Sequence, residues 1–295
     1  MISAETAQAV LLSGIILGSL YAIMATGLAL VWSTLGIFNF AHGVFMTLGA
    51  YVAWQFAHDS GFGFGYSAGV AIGITFLFGV GIVLERILIR PFIGKKDIVM
   101  LVVITTLAAY LILENSILLT WGARFKQLPP IIEGTVDLLS TSISTHEFIV
   151  LILSPLILFL LWCFLKFTRV GTAIRAVSQN RESALLMGIK VNYLYSIAFG
   201  LSAALAGVAG ILIGSTRYIT PFLGNDPLLK ALIVAIFGGL GSLSGTIVAA
   251  YVIGILEAIS IFYIGLYWTP TILFLFMIIM LIIRPEGLLG KGSNK

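Results

Sequence analysis

The chain has 295 residues, of which 60% are hydrophobic and only 9% charged, with a mean hydropathy of +1.12 and a formal net charge of +4. No soluble globular domain has that balance. The small basic excess is what loops flanking membrane spans carry, so it needs no nucleic acid to explain it.

Taken in chain order, the first apolar run is Ala7 to Val31. It exceeds the roughly 20 residues needed to cross a bilayer and is too long for the apolar core of a signal peptide. No basic segment precedes it, so it reads as a retained span. Further apolar segments fall near 43–57, 66–90, 98–121, 148–165, 191–216, 229–245, 246–264 and 267–283. The expected fold is an all-α, polytopic helical membrane protein with eight or nine membrane segments, forming one transmembrane domain over 1–295. A β-barrel would need alternating strands, which the pattern lacks. Cys163 is alone, which excludes an internal disulfide.

The hydrophilic connections sort by charge. Segment 85–97 carries Arg86, Arg90, Lys95 and Lys96, segment 166–190 carries five basic residues, and the tail carries Arg284, Lys291 and Lys295. These three are expected on the cytoplasmic side, which puts segments 58–65, 122–147 and 217–228 outside. If all nine segments cross, the N-terminus is outside; one re-entrant segment reverses that. Segment 122–147, with Pro129-Pro130, is long enough to lie flat as a cap on the outer face.

The two halves look distantly alike. Each has a long span followed by an apolar stretch broken by glycine and small polar residues, STLGIFNFAHGVFMTLGAY in the first and AIFGGLGSLSGTIVAAY in the second. Broken or re-entrant helices at matching places in two halves point to a central translocation path.

Three constellations carry the functional argument. The first is KFTRVGTAIRAVSQNRESALLMGIK, Lys166 to Lys190. As a helix it sets Val170, Ala173, Ile174, Val177, Ala184 and Leu185 on one side, with Arg175, Gln179 and Glu182 on the other. Asn180 is placed to cap a second short helix, with Glu182 in its first turn and Gly188 past its end. Two readings fit: a rigid knob that a soluble motor can grip, or an amphipathic linker lying on the membrane. The second is GIFNFAHG, Gly36 to Gly43, where Asn39, Phe40, His42 and Gly43 lie in a stretch whose glycines permit unwinding. Such backbone is tolerated at membrane depth only where protein or a water-filled cavity covers it. Asn39 and His42 either line a path or bond neighbouring helices together. The third is FGGLGSLSGT, in which Gly238, Gly239, Gly241, Ser242 and Gly245 mark close packing or a second broken element.

Glu114 and Glu257 are the acids within apolar spans, with no basic residue inside a span to pair with either. Depending on the boundary, Glu257 is instead an interfacial residue at a helix end. There is no nucleotide-binding loop, no HExxH and no Cys/His cluster of metal spacing, so no catalytic and no metal-ligating residue is expected.

GLALVWSTLGIFNFAHGVFMTLGAY at 27–51, RVGTAIRAVSQNRESALLMGIKV at 169–191, AIFGGLGSLSGTIVAAYVIGILE at 235–257 and IIRPEGLLG at 282–290 together resemble the permeases of branched-chain amino acid ABC importers, the LivH type. The resemblance covers nearly the whole chain in order. It implies a multi-pass permease of the bacterial inner membrane without its own ATPase or cofactor. It also implies a sister permease subunit (LivM-like), two ATPase subunits that bind ATP-Mg, and a periplasmic substrate-binding protein. Arg169, Gly171, Arg175, Ala176, Asn180, Glu182, Ala184 and Gly188 would lie in the segment that couples to the ATPase. Asn39, Phe40, His42, Gly43, Gly238, Gly239, Gly241, Ser242 and Gly245 would flank the path.

An ion- or proton-coupled secondary transporter of small zwitterions or amides is the competing reading, with Glu114 and Glu257 as its working acids. An intramembrane enzyme would need converging nucleophile, base or metal ligands, and His42, His58 and His146 do not supply them. The two transport readings predict different fates for a Glu114→Gln/Glu257→Gln variant in an uptake assay. Transport is abolished in the secondary transporter and largely intact in the importer.

Overall fold

The computed structural model describes residues 4–128, 134–138 and 141–290. Eleven helices are described, in the order α1 (Ala4–Leu35), α2 (His42–Ala57), α3 (Tyr66–Leu84), α4 (Ile98–Trp121), α5 (Thr145–Phe167), α6 (Arg169–Gln179), α7 (Arg181–Leu186), α8 (Val191–Thr216), α9 (Asn225–Gly238), α10 (Leu243–Ile264) and α11 (Thr269–Ile283). α3 continues through a π-helical segment, Glu85–Ile89, into a 3-10 turn, Arg90–Phe92. Six of the helical segments are long and apolar enough to cross a membrane; α2, α9 and α11 are apolar but shorter. The segment expected at 122–147 is not wholly irregular. It holds an antiparallel hairpin, β1 (Thr135–Leu138) with β2 (Thr141–Ser144), where no strands were expected. Ser144 and Glu147 then form a capping box that starts α5. Pro129, Pro130 and Glu133 lie outside the described residues, as do Lys291 and Lys295.

The helices form two interlocked halves of opposite direction. α1 to α4 make one, α8 to α11 the other, and α5 to α7 join them. α3 packs on α8 and α10 packs on α1; α2 lies against α8 and α3, while α9 lies against α1 and α10. Each half therefore covers the first helix of the other, and α1 and α8 become the most enclosed spans. The outer helices α3, α4 and α5 keep most of their surface exposed. Large apolar side chains such as Leu119, Ile112 and Phe159 project from them. In this setting they are what lipid or a second apolar subunit would cover.

The sides sort as the charges suggested. Ser33, Trp162, Gln179, Ser242 and Leu289 line one cavity, so the ends of α1, α5 and α6, the start of α10 and the tail share a face. The opposite face carries the β-bridge of Lys126 with Ile219 and the Trp121 to Gln55 hydrogen bond. With nine membrane segments, α1 begins on that opposite, outer face.

The repeat differs in one respect from the sequence pairing. The counterpart of the break at 36–41, between α1 and α2, is 217–224, between α8 and α9. The glycine-rich 238–245 is instead the turn between α9 and α10 on the cytoplasmic face. Its glycines serve a different need. Gly239 and Gly241 have φ of +100° and +89°, and the amides of Leu288 and Leu289 donate to the carbonyls of Phe237 and Gly238. The tail thus closes the end of α9.

Helix packing is set by glycine. A Cβ placed on Gly210 would lie 1.9 Å from the Met46 carbonyl oxygen, and one on Gly254 would lie 2.4 Å from the Gly18 amide nitrogen. Gly79, in contrast, has nothing within 4 Å. Gly210→Ala is expected to lose about 1–3 kcal/mol through forced helix separation, whereas Gly79→Ala stays near wild type. Thermal denaturation in one detergent checks the pair; equal melting temperatures would refute close packing at Gly210.

Candidate functional site: a mid-membrane helix junction and a cytoplasmic knob

α2 and α9 have 16 and 14 residues. At 1.5 Å per residue they are roughly 24 and 21 Å long, short of the ~30 Å hydrocarbon core. Both begin inside the protein. The start of α2 lies beside the middle of α8: His42 Nδ1 is 3.4 Å from Ser202 Oγ, and its Nε2 is 3.0 Å from the Met24 carbonyl. A carbonyl only accepts, so Nε2 carries the proton and Nδ1 accepts from Ser202. The start of α9 abuts the start of α2. A Cβ on Gly224 would fall 1.8 Å from the Gly43 carbonyl oxygen, and the Gly224 amide donates to Thr47 Oγ1 at 3.0 Å. Two half-helix N-termini therefore meet at membrane depth, each reached by irregular backbone from an opposite face. This arrangement frames a transport site in other broken-helix folds.

The residues singled out in the first break fall at this junction. Asn39 is 1% exposed and its Oδ1 accepts from the Ala41 amide, while its Nδ2 has no partner among the described residues. The Phe40 amide donates to Thr106 Oγ1, tying the break to α4. His42 is fully buried with both ring nitrogens engaged, the geometry of a brace. Gly43 makes the contact with Gly224 described above. The second group lies elsewhere. Gly238, Gly239, Gly241, Ser242 and Gly245 build the cytoplasmic turn, where Ser242 Oγ accepts from the Gly245 amide and caps α10.

Glu114 faces the junction from α4. The Tyr110 hydroxyl donates to its Oε1 at 2.5 Å and also touches the Asn225 side-chain amide at the start of α9. Glu114 makes no ion pair with any described residue. Glu257 differs. It is 2% exposed in the body of α10, not at a helix end, and it is not without a cation. Lys230 Nζ lies 2.8 Å from Glu257 Oε1 and 2.9 Å from Asp226 Oδ2, and the Tyr21 hydroxyl donates to Glu257 Oε2 at 2.5 Å. Lys230 sits inside the seventh apolar segment, where sequence reasoning counted no base. A second missed pair lies at the cytoplasmic end of α3: Glu85 is fully buried, and Arg90 reaches it at 3.0 Å and Ser196 at 2.7 Å. Segment 85–97 is thus helical through Phe92 and held to α8 rather than free.

The segment from 166 to 190 folds into two short helices on the cytoplasmic face. Thr168 Oγ1 accepts from the Gly171 amide and starts α6, and Asn180 Oδ1 accepts from the Ser183 amide and starts α7. Gly188 ends the unit at φ +78°. Gly171, Ile174, Val177 and Ala184 are buried against the membrane domain, and Gly171 packs so closely that a Cβ would lie 2.3 Å from the Phe164 carbonyl. Arg169 opens α6, Ala176 is half-buried, and Arg175 donates to the Lys166 carbonyl at 3.3 Å. Glu182 is exposed in the first turn of α7. Leu185, contrary to the expected stripe, points outward with Leu186 and Met187, which are 88% and 82% exposed. A cavity of about 660 Å³ separates Arg175 and Gln179 of α6 from Ser33, Gly241 and Ser242. The end of α1, the glycine-rich turn before α10 and the cytoplasmic segment thus meet at one place.

Among the described residues, apolar helices in two inverted halves, with half-helices meeting at mid-depth, define a membrane transport permease. Sequence comparison gives the family. The chain belongs to the branched-chain amino acid transport system / permease component family, whose model matches residues 10–283, and it is a permease component, not an enzyme. It is 31% identical over 291 residues to the high-affinity branched-chain amino acid transport system permease protein LivH of Escherichia coli (strain K12), covering 95% of this chain and 94% of that one. It is 30% identical over 303 residues to the probable branched-chain amino acid transport permease protein LivH of Methanocaldococcus jannaschii, covering 97% and 93%. Among solved structures, PsaBC from Streptococcus pneumoniae in complex with Fab shares the fold at a TM-score of 0.51 and 16% identity, covering 95% of this chain and 92% of that one.

Removing one partner of a buried ion pair leaves an uncompensated charge and typically costs about 3–5 kcal/mol. Lys230→Met is expected to destabilise by that amount. Lys230→Met/Glu257→Leu should recover most of it, since no buried carboxylate is left. A double-mutant cycle from denaturation midpoints reads the coupling; simple additivity would mean that the contact carries no energy. Glu257→Gln therefore carries a structural penalty, and Glu114→Gln alone is the cleaner test of ion coupling.

Proposed function

We propose that this chain is one of two permease subunits of an ABC importer in the bacterial inner membrane, forming half of the path for branched-chain or related amino acids. A periplasmic binding protein delivers the amino acid. A sister permease (LivM-like) completes the path, and two ATPase subunits using ATP-Mg drive it. The observation that carries this reading is the knob of α6 and α7. It is a structured unit with a buried seam towards the membrane domain and an apolar tip of Leu185, Leu186 and Met187 turned to the cytoplasm. Exposed apolar side chains on a rigid surface mark a partner's seat rather than a solvated linker. An ion-driven transporter has no use for it.

In this reading Arg169, Gly171, Arg175, Ala176, Asn180, Glu182, Ala184 and Gly188 belong to the coupling unit. The single domain spans 1–295 with that unit included. ATP binding and hydrolysis shift the population between outward and inward states because the partner grips the knob differently in each. The knob adjoins the cavity that also holds Ser33, Gly241 and Ser242, which gives its motion a short route to the ends of α1 and α9. At the other end of α9, Asn39, Phe40, His42 and Gly43 form one wall of the junction.

Two outcomes are expected in proteoliposomes holding the complete importer. Arg175→Ala/Glu182→Ala lowers uptake at least tenfold while ATP hydrolysis continues or the ATPase dissociates; wild-type rates of both would remove these residues from coupling. Gly43→Val blocks uptake in an assembled complex, since even its Cβ would lie 2.8 Å from the Gly224 carbonyl oxygen and 3.0 Å from Leu228 Cβ. Normal uptake by that variant would take the junction out of the path.

A further inference from the structure

A second cavity, of about 260 Å³, lies in the outer half of the subunit between α1, α5, α8 and α9. Its lining combines charges of both signs with an aliphatic floor. Two cations border it, Arg217 at the end of α8 and Lys230 on α9. Two acids border it as well, Glu147 in the first turn of α5 and Asp226 in the first turn of α9. The floor is aliphatic: Leu20 and Met24 of α1, Val150 of α5 and Ile213 of α8.

The polar groups are only partly committed. Glu147 uses one oxygen, Oε2, to accept from the Ser144 amide at 3.1 Å. Among the described residues Arg217 makes no ion pair. Lys230 is shared between the exposed Asp226 and the buried Glu257. A lone anion or a lone cation would leave one sign of this rim opposed by like charge. A small molecule carrying both charges on one carbon, with an apolar body, would meet both signs and the floor together.

We propose that this cavity is an amino-acid binding site within the subunit, separate from the junction of α2 and α9. Its ligand is a zwitterionic α-amino acid with an aliphatic side chain. The carboxylate is held on the side of Arg217 and Lys230, the ammonium on the side of Glu147 and Asp226, and the side chain on the floor. The proposal deepens the functional reading above and rests on it for the substrate class. Occupancy has a consequence for the fold, because a ligand carboxylate beside Lys230 competes with the contact that ties α9 to α10.

The shared chemistry of a zwitterionic head on an apolar body also fits a phosphatidylethanolamine headgroup. The test is therefore equilibrium binding of radiolabelled L-leucine to the assembled permease and ATPase complex, without binding protein, in nanodiscs of phosphatidylglycerol alone and with phosphatidylethanolamine added. Leucine is expected to bind in both. Isocaproate, which lacks the ammonium, and isopentylamine, which lacks the carboxylate, should compete at least tenfold more weakly than leucine. Arg217→Ala should weaken binding at least tenfold and Arg217→Lys should restore most of it. Ser13→Trp, which fills the cavity from an exposed position on α1, should abolish binding without removing any charge.

Absence of leucine binding, binding indifferent to both Arg217→Ala and Ser13→Trp, or displacement by phosphatidylethanolamine overturns the site. Uptake driven by the binding protein and ATP is measured in parallel. Retained uptake with no binding in the cavity refutes this site and leaves the importer reading standing. Loss of ATP-driven amino-acid uptake in the unaltered importer refutes that reading instead.

Discussion

Backbone lying against backbone, with no side chain between, is the constraint on which this molecule depends. A half-helix inside a bilayer leaves amides and carbonyls that lipid cannot satisfy, at several kcal/mol each. Breaking a helix there is possible only if another element seals the break closely. The seal here is glycine against glycine: Gly43 on Gly224, and Gly49 on Gly207 along the α2–α8 contact. Because each half wraps the first helix of the other, both breaks are sealed by the opposite half. The junction therefore exists only where the two halves are packed together.

The charged groups are disposed around that frame. The interior accepts a carboxylate only with a cation beside it, and the chain supplies one in each case where the carboxylate is enclosed: Lys230 for Glu257 and Arg90 for Glu85. Glu114, only half-buried, has none. The difference separates acids that hold helices together from the one that opens on the surface of the subunit. It follows from the cost of an unpaired charge in a medium without water.

Much of this was legible in the sequence. Apolar runs gave the helices and basic segments gave the cytoplasmic face, because hydropathy and charge act locally. The knob was legible down to its caps, since Asn180 and Gly188 impose their geometry on their own neighbours. What escaped depended on long-range pairing. Lys230 lies at the edge of the apolar run 229–245, where no base was counted; nothing local says that residue 257 lies beside it. Segment 217–224 passed for an outer loop because it is short and mixed in polarity, and its burial comes from α2, far off in sequence. The glycines of 238–245 announced a break loudly, yet their use is a left-handed turn and a docking surface for the tail.

That docking ties the last stretch of the chain to the end of α9. The amide nitrogen of Gly239 would lie 2.4 Å from a Cβ on Gly287, so only two glycines let these strands of backbone touch. Residue 287 follows α11, so it is synthesised after all eleven described helices. The α9–α10 turn must therefore wait, uncovered, until α11 has been made. A chain cut short before Arg284 would hold all eleven described helices and still leave the carbonyls of Phe237 and Gly238 without the amides that meet them here.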